Sequence, residues 1–244
     1  MSITNRQAQI LNILNERTYI TVEELSALTF TSPSSIRRDL TYLQNNGLVK
    51  RSHGGVTLPE PINGVASFYD RTHKNMKEKR IIAQKAAALL EDGQNILLDS
   101  SSTAAFLLPY IAKFNHAAVF TNNLSTALNA IELGINTHCL GGHSIRGSSA
   151  LSGAETYRAL SNIKADILFF SSQSLDCQGN ITDSTEEENF ARILMLQSTK
   201  TSVFLCDSEK FNKSSVYKLG NLNGMDFAVF DKGFDGLSTS CTLL

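Results

Sequence analysis

Arg37 and Arg38 stand side by side in residues 31–40, TSPSSIRRDL. A guanidinium offers a rigid fork of donors that fits base edges and phosphate oxygens, so a paired display on one helix face suits nucleic-acid recognition. Far downstream, Asp99, Ser100, Ser101, Ser102 and Thr103 follow one another without interruption. Their hydroxyls, with the free N–H groups of a following helix start, suit a cradle for phosphate.

The elements that must position the arginines are legible around them. Ser32 has the side chain of an N-cap and Pro33 suits the first helical position, which needs no amide donor. Ile36, Leu40 and Leu43 then form one apolar stripe, which turns Ser34, Arg37, Arg38 and Thr41 outward. Upstream, Thr21 with Glu24 makes a capping box for a short helix over 22–29, and Ile10, Leu11 and Leu14 line a helix over 4–16. After Asn46-Gly47, a helix stop, residues 48–58 read LVKRSHGGVTL, a basic hairpin closed by a Gly-Gly turn. This order predicts a winged helix-turn-helix. Its expected DNA contacts are Ser32, Ser34, Ser35, Arg37, Arg38 and Thr41 from the helix, with Lys50, Arg51 and His53 along the phosphates. His53 serves equally well as a turn residue.

Composition adds bounds. The 244 residues carry a net charge of -1 and are 42% hydrophobic, enough for a large domain plus a small one. Through Leu58 there are six Lys/Arg against four Asp/Glu, while the remainder has 16 against 19. A basic reader at +2 on a body at -3 suits DNA contact at one end. Cys139, Cys177, Cys206 and Cys241 are scattered, without metal-ligand or disulfide spacing. Cys139 and Cys206 lie in apolar runs and are read as buried small hydrophobes. The N-terminus has no apolar signal region and no run reaches the length of a membrane span, so a cytoplasmic location without membrane partner, cofactor or metal is expected.

Pro59, Pro61, Asn63 and Gly64 mark a linker at 59–67, which separates a DNA-binding domain at 1–58 from a domain at 68–244. The five Lys/Arg over 71–80 are read as a solvated helix start before an apolar helix at 81–90. Strands at 95–98, 118–120, 137–140, 167–170 and 202–206 alternate with helices at 103–113, 125–133 and 186–199, the pattern of a parallel α/β sheet. Ligands of such sheets bind at the carboxyl ends of strands. Besides residues 99–103, those ends present Asn122 and Asn123, suited to hydrogen-bonding sugar hydroxyls or to capping the next helix. They also present Gly141 and Gly142, with Arg146 beyond as an anion partner or a surface arginine. Glu186, Glu187 and Glu188 fit the positive end of a helix better than a metal.

Residues 32–40, Gly47-Leu48 and Arg51-Ser52-His53-Gly54-Gly55 resemble the N-terminal signature of the DeoR family of bacterial transcriptional regulators. The resemblance runs nearly the full length, and it implies an α/β sensor domain related to sugar-phosphate isomerase folds. It further implies a phosphorylated sugar as effector, bound by residues 99–103 and by Asp207 and Lys210, with Lys210 as a point charge. Three departures stand out: serine replaces the usual glycine in 99–103, Glu209 replaces a commonly small residue, and residues 171–176 lack the usual glycine.

These readings converge on a transcriptional regulator, a repressor of carbohydrate genes, that binds an operator as a homodimer or homotetramer. A two-fold dimer sets two heads on half-sites about 34–36 Å apart. The rivals are an isomerase-like enzyme using Asp99, Asp176 or Asp183 as base, and a regulator whose sensor has lost sugar-phosphate binding.

Overall fold

The computed structural model describes residues 4–17, 19–52, 55–59, 67–145 and 148–244. His53, Arg146 and nearly all of the expected linker lie outside them. The chain divides into two compact units, Met1–Val65 and Ala66–Leu244.

The first unit runs α1 (Asn5–Glu16), β1 (Ile20–Thr21), α2 (Val22–Leu28), α3 (Pro33–Asn45), β2 (Lys50–Ser52) and β3 (Gly55–Thr57). Thr4 and Thr21 each close a capping box, and Ser32 caps α3 by accepting from the Ser35 amide. Local sequence therefore sets all three helix starts. Ile36, Leu40 and Leu43 bury the inner stripe of α3 with Ile10, Leu11 and Leu25. The strands make a three-stranded antiparallel sheet in the order β1-β3-β2.

The second unit begins with α4 (Phe68–His73) and α5 (Met76–Ala86), then β4 (Asn95–Leu98), α6 (Ser102–Ala105), α7 (Leu108–Ile111), β5 (Ala118–Thr121), α8 (Leu124–Glu132) and β6 (Asn136–Cys139). It continues with β7 (His143–Ser144), β8 (Leu151–Ser152), α9 (Ala154–Ser161), β9 (Ala165–Phe170), β10 (Ser174–Leu175), β11 (Asn180–Asp183) and α10 (Glu186–Gln197). The last strands are β12 (Thr199–Cys206), β13 (Tyr217–Asn221), β14 (Phe227–Phe230) and β15 (Thr242–Leu243). Seven of these strands form one parallel sheet, ordered β15-β14-β12-β9-β4-β5-β6. Alternate strand residues feed two cores. Ile96, Leu98, Phe169 and Val203 pack under α5 and α7, while Leu97, Leu168, Phe170 and Phe204 pack under α9 and α10. The chain passes from β4 to β5 and β6 on one side, then returns to place β9 and β12 on the other. The order reverses beside β4, and open α/β sheets in general bind ligands outside the carboxyl ends of the strands at such a switch point.

Several expectations need correction. The helix expected over 103–113 is two short ones, because Pro109 has no N–H and stands in the first turn of α7. Cys139 is exposed rather than buried, since β6 is the sheet's edge strand. The basic run 71–80 is not a purely solvated start: α5 begins at Met76, five residues early, and buries Lys79.

Candidate functional site

On the first unit, α3 exposes Ser32, Ser34, Arg37, Arg38 and Thr41, with Ser35 half-buried, and the hairpin exposes Lys50 and Arg51. Arg51 ties wing to helix. Its Nη2 donates to the Arg37 carbonyl at 2.7 Å and to Thr41 Oγ1 at 3.2 Å. Thr41 Oγ1 itself donates to that carbonyl at 2.8 Å. Arg37 keeps only a 3.5 Å approach to Glu23, a surface pair of little strength, so its fork can be redirected to a partner. Sequence reasoning missed Asp39. It is buried and accepts from Arg6 Nε and, at 3.2 Å, from Gln7 Nε2, fixing α3 to α1.

The second unit's polar strand ends gather at the switch point. Asp99 is fully enclosed, and both its oxygens are used. Oδ1 accepts from the Ser101 amide at 3.0 Å; Oδ2 accepts from Arg192 Nε at 2.7 Å and from the Ser171 amide at 3.3 Å. Arg192, unforeseen in the sequence, also donates from Nη1 to Asp183 at 2.8 Å and from Nη2 to Glu188 at 3.0 Å. Burial works to lower its pKa, but Asp183, Asp99 and Glu188 outweigh that and raise it. Glu188 takes a further bond from Ser148, so one of the three acids of α10 belongs to this buried cluster. Only its spacing of four residues from Arg192 hinted at the pair.

Ser100, Ser101, Ser102 and Thr103 are buried, and Ser101 Oγ accepts from the Ala104 amide. Ser101 has φ of -78°, so serine in place of glycine carries no left-handed strain. Asn123 Oδ1 accepts from the Thr126 amide at 2.9 Å and caps α8, while its Nδ2 reaches the Ser100 carbonyl. Asn122 Nδ2 holds the Leu151 carbonyl, and its Oδ1 is buried without a partner. Gly141 and Gly142 lead into the β7–β8 hairpin. Gly142 has φ of +115°, and a Cβ there would lie 2.2 Å from Thr156 Oγ1.

Lys210 Nζ donates to Ser171 Oγ at 2.8 Å and sits 3.3 Å from Asp207 Oδ2, with its side chain 21% exposed. Burial would raise the Asp207 pKa, but Lys210, the Asn75 bond and Lys79 hold it down. Glu209 does not load the crevice with an unpaired charge: it pairs with Lys74 at 2.9 Å on the surface. Asp176 folds its own loop, accepting from the Gln178 and Asn180 amides. The three carboxylates considered as bases are thus all engaged in holding the fold.

Known proteins supply the comparison. Residues 6–61 match the DeoR-like helix-turn-helix domain, and residues 74–232 match the DeoR C terminal sensor domain. The chain belongs to the DeoR family of transcriptional regulators. Among DeoR-family relatives, the HTH-type transcriptional regulator GolR of Listeria innocua is 32% identical over 93% of this chain and 89% of that protein. Two relatives come from Haemophilus influenzae. The L-fucose operon activator is 32% identical over 97% and 95%, and the glycerol-3-phosphate regulon repressor is 25% identical over 91% and 87%. The chain is also similar to ribose 5-phosphate isomerase from Plasmodium falciparum, at 21% identity and a TM-score of 0.40 over 55% of this chain and 52% of that one. A likeness of that size carries no argument. As a DeoR-family member the chain is a DNA-binding transcriptional regulator with a small reading domain and an α/β sensor domain. Among its described residues no helix is long and apolar enough to cross a membrane.

Proposed function

We propose that this regulator is a cytoplasmic repressor of carbohydrate genes whose sensor binds a phosphorylated sugar in the crevice between β4 and β9. The single observation that carries the effector class is Lys210, a partly exposed ammonium that donates to Ser171 Oγ, the residue whose amide is held by Asp99 at the head of the hydroxyl-bearing loop 99–103. Asn122, Asn123, Gly141 and Gly142 complete the rim, and Arg146, outside the described residues, is proposed as a further anion partner. The unstrained Ser101 and the surface pairing of Glu209 speak against loss of phosphate binding. The relatives' names include both a repressor and an activator, so repression is this proposal's own direction.

On the first unit, Ser32, Ser34, Ser35, Arg37, Arg38 and Thr41 read the major groove. Lys50, Arg51 and His53 follow the phosphates. A homodimer or homotetramer supplies paired heads, the domains being 1–58 and 68–244 joined by 59–67.

The test is fluorescence anisotropy on DNA upstream of the protein's own gene, with sugar phosphates and their unphosphorylated counterparts. One sugar phosphate is expected to weaken DNA binding and to raise the Tm, as a ligand selective for the folded form must. A response to free sugars alone, or none to any phosphorylated sugar, would overturn the effector class.

A further inference from the structure

Helix α2 ends in a turn of the kind that usually carries glycine, and this one carries Phe30. The Thr31 amide donates to the Ser26 carbonyl at 3.1 Å and the Phe30 amide to the Ala27 carbonyl at 3.4 Å, the paired bonds of a Schellman stop. Phe30 occupies the left-handed position of that motif, with φ of +50°. Glycine adopts such a backbone freely, whereas a Cβ crowds the neighbouring carbonyl. The other non-glycine residues with positive φ among those described are Asn75 and Asn212, and asparagine tolerates the region.

The fold gains nothing from the ring. Phe30 is 98% exposed, and Ser26 Oγ, by donating to the Thr31 carbonyl, closes the turn without it. A lone exposed apolar side chain is ordinary on a protein surface. One held in a strained backbone is not, and such residues cluster where a protein meets its partner.

The surroundings indicate which partner. Phe30 stands two residues before Ser32, the N-cap of α3, so the two Cα atoms lie within about 7 Å of each other. That end of a recognition helix is the one whose residues meet base edges in the major groove. Residues 25–38 include no carboxylate, so nothing in this stretch repels phosphate. Thr29, Thr31, Ser32 and Ser34 flank the ring with hydroxyls and break up the contiguous apolar patch that a protein partner would need.

We infer that Phe30 enters the major groove beside α3 and packs against the methyl group of a thymine in the operator. The inference rests on the reading in which α3 enters the groove, and deepens it. Thymine alone among the four bases presents a methyl group there, so an apolar side chain selects it without a hydrogen bond. Arg37 and Arg38 read by donors; Phe30 adds a position at which thymine is preferred.

The test compares full-length wild type, F30A, F30G and the R37A/R38A double variant by fluorescence anisotropy. The probe is the DNA upstream of the protein's own gene, prepared with thymine or with uracil throughout. F30A keeps a Cβ and with it the backbone strain, and its affinity for thymine DNA is expected to fall about three- to tenfold. On uracil DNA, F30A and wild type are expected to bind equally, because the methyl group that couples to the ring is gone. F30G is expected to melt at or above the wild-type temperature, since the left-handed position is relieved and no buried contact is lost. Unchanged affinity of F30A for thymine DNA, or a loss of equal size on both DNAs, overturns the thymine contact. In either case a weakened R37A/R38A leaves the reading of α3 standing, whereas a double variant that binds like wild type overturns both. F30G melting several degrees below wild type would assign the ring to the fold and overturn the inference. Should F30A fail to fold, F30G carries the DNA titrations with the same expected outcomes.

Discussion

Arg192 Nε donates to Asp99 Oδ2 at 2.7 Å, across 93 residues of sequence, and the pair is buried at the carboxyl end of β4. Because Asp99 also holds the amides of Ser101 and Ser171, this one contact fixes the loops that follow β4 and β9. Bonded to Asp99, Asp183 and Glu188, the guanidinium is spent on holding these loops in place.

Replacing Arg192 with Met leaves Asp99, Asp183 and Glu188 buried without their shared cation. Breaking a buried ion pair by removing one partner costs about 3–5 kcal/mol. Urea denaturation should show a loss of that order, and a loss below about 1 kcal/mol would mean that the cluster is reached by water.

Arg37 and Arg38 are exposed on α3, so their joint replacement by alanine should leave the melting curve within about 2 °C of wild type. Each lost base or phosphate contact is worth about 1–3 kcal/mol. Affinity for the native promoter, read by anisotropy, should therefore weaken at least about thirtyfold, and unchanged affinity would remove α3 from the interface.

Lys79 makes stability depend on pH. Burial first, and then Lys210, lowers its pKa from 10.5 to about 7. Between those values the unfolded chain keeps the proton that the folded chain has released, so stability must rise with pH across that window. Below about pH 7 both states are protonated and the penalty is constant. The slope attributable to Lys79 reaches about 1.4 kcal/mol per pH unit. Urea unfolding of wild type and K79M at pH 7 and 8.5 isolates it, since K79M should show the flatter profile; parallel profiles would contradict the burial of the ammonium.

Gly142 combines φ of +115° with space for no side chain: an added Cβ would lie 2.2 Å from Thr156 Oγ1 and 2.5 Å from the Ser152 carbonyl oxygen. Gly142→Ala should cost about 2 kcal/mol or more by chemical denaturation. A neutral substitution would show that the β7–β8 hairpin relaxes freely.

What was legible in the chain and what was not divides along distance. The caps at Thr4, Thr21 and Ser32 act within three residues, so the helix starts of the first unit could be read directly. The apolar stripe of α3 and the alternation of strands and helices are local patterns too, and through them α3's outward arginines and a parallel sheet were foreseen. Helix α9, the small β10-β11-β13 sheet and the strands β14 and β15 were not read, being short or lacking a clean period.

Local sequence alone thus determined the DNA-reading face, because helical periodicity places Ile36 inward and Arg37 and Arg38 outward wherever α3 is packed. Only the tertiary structure decided the sensor's interior. Asp99 with Arg192, and Lys79 under Arg71, meet through strand order and burial, which bring distant charges into a medium where each must find a partner. There Ser101 keeps an ordinary backbone angle and Glu209 pairs with Lys74 at the surface, neither of which the linear sequence could specify.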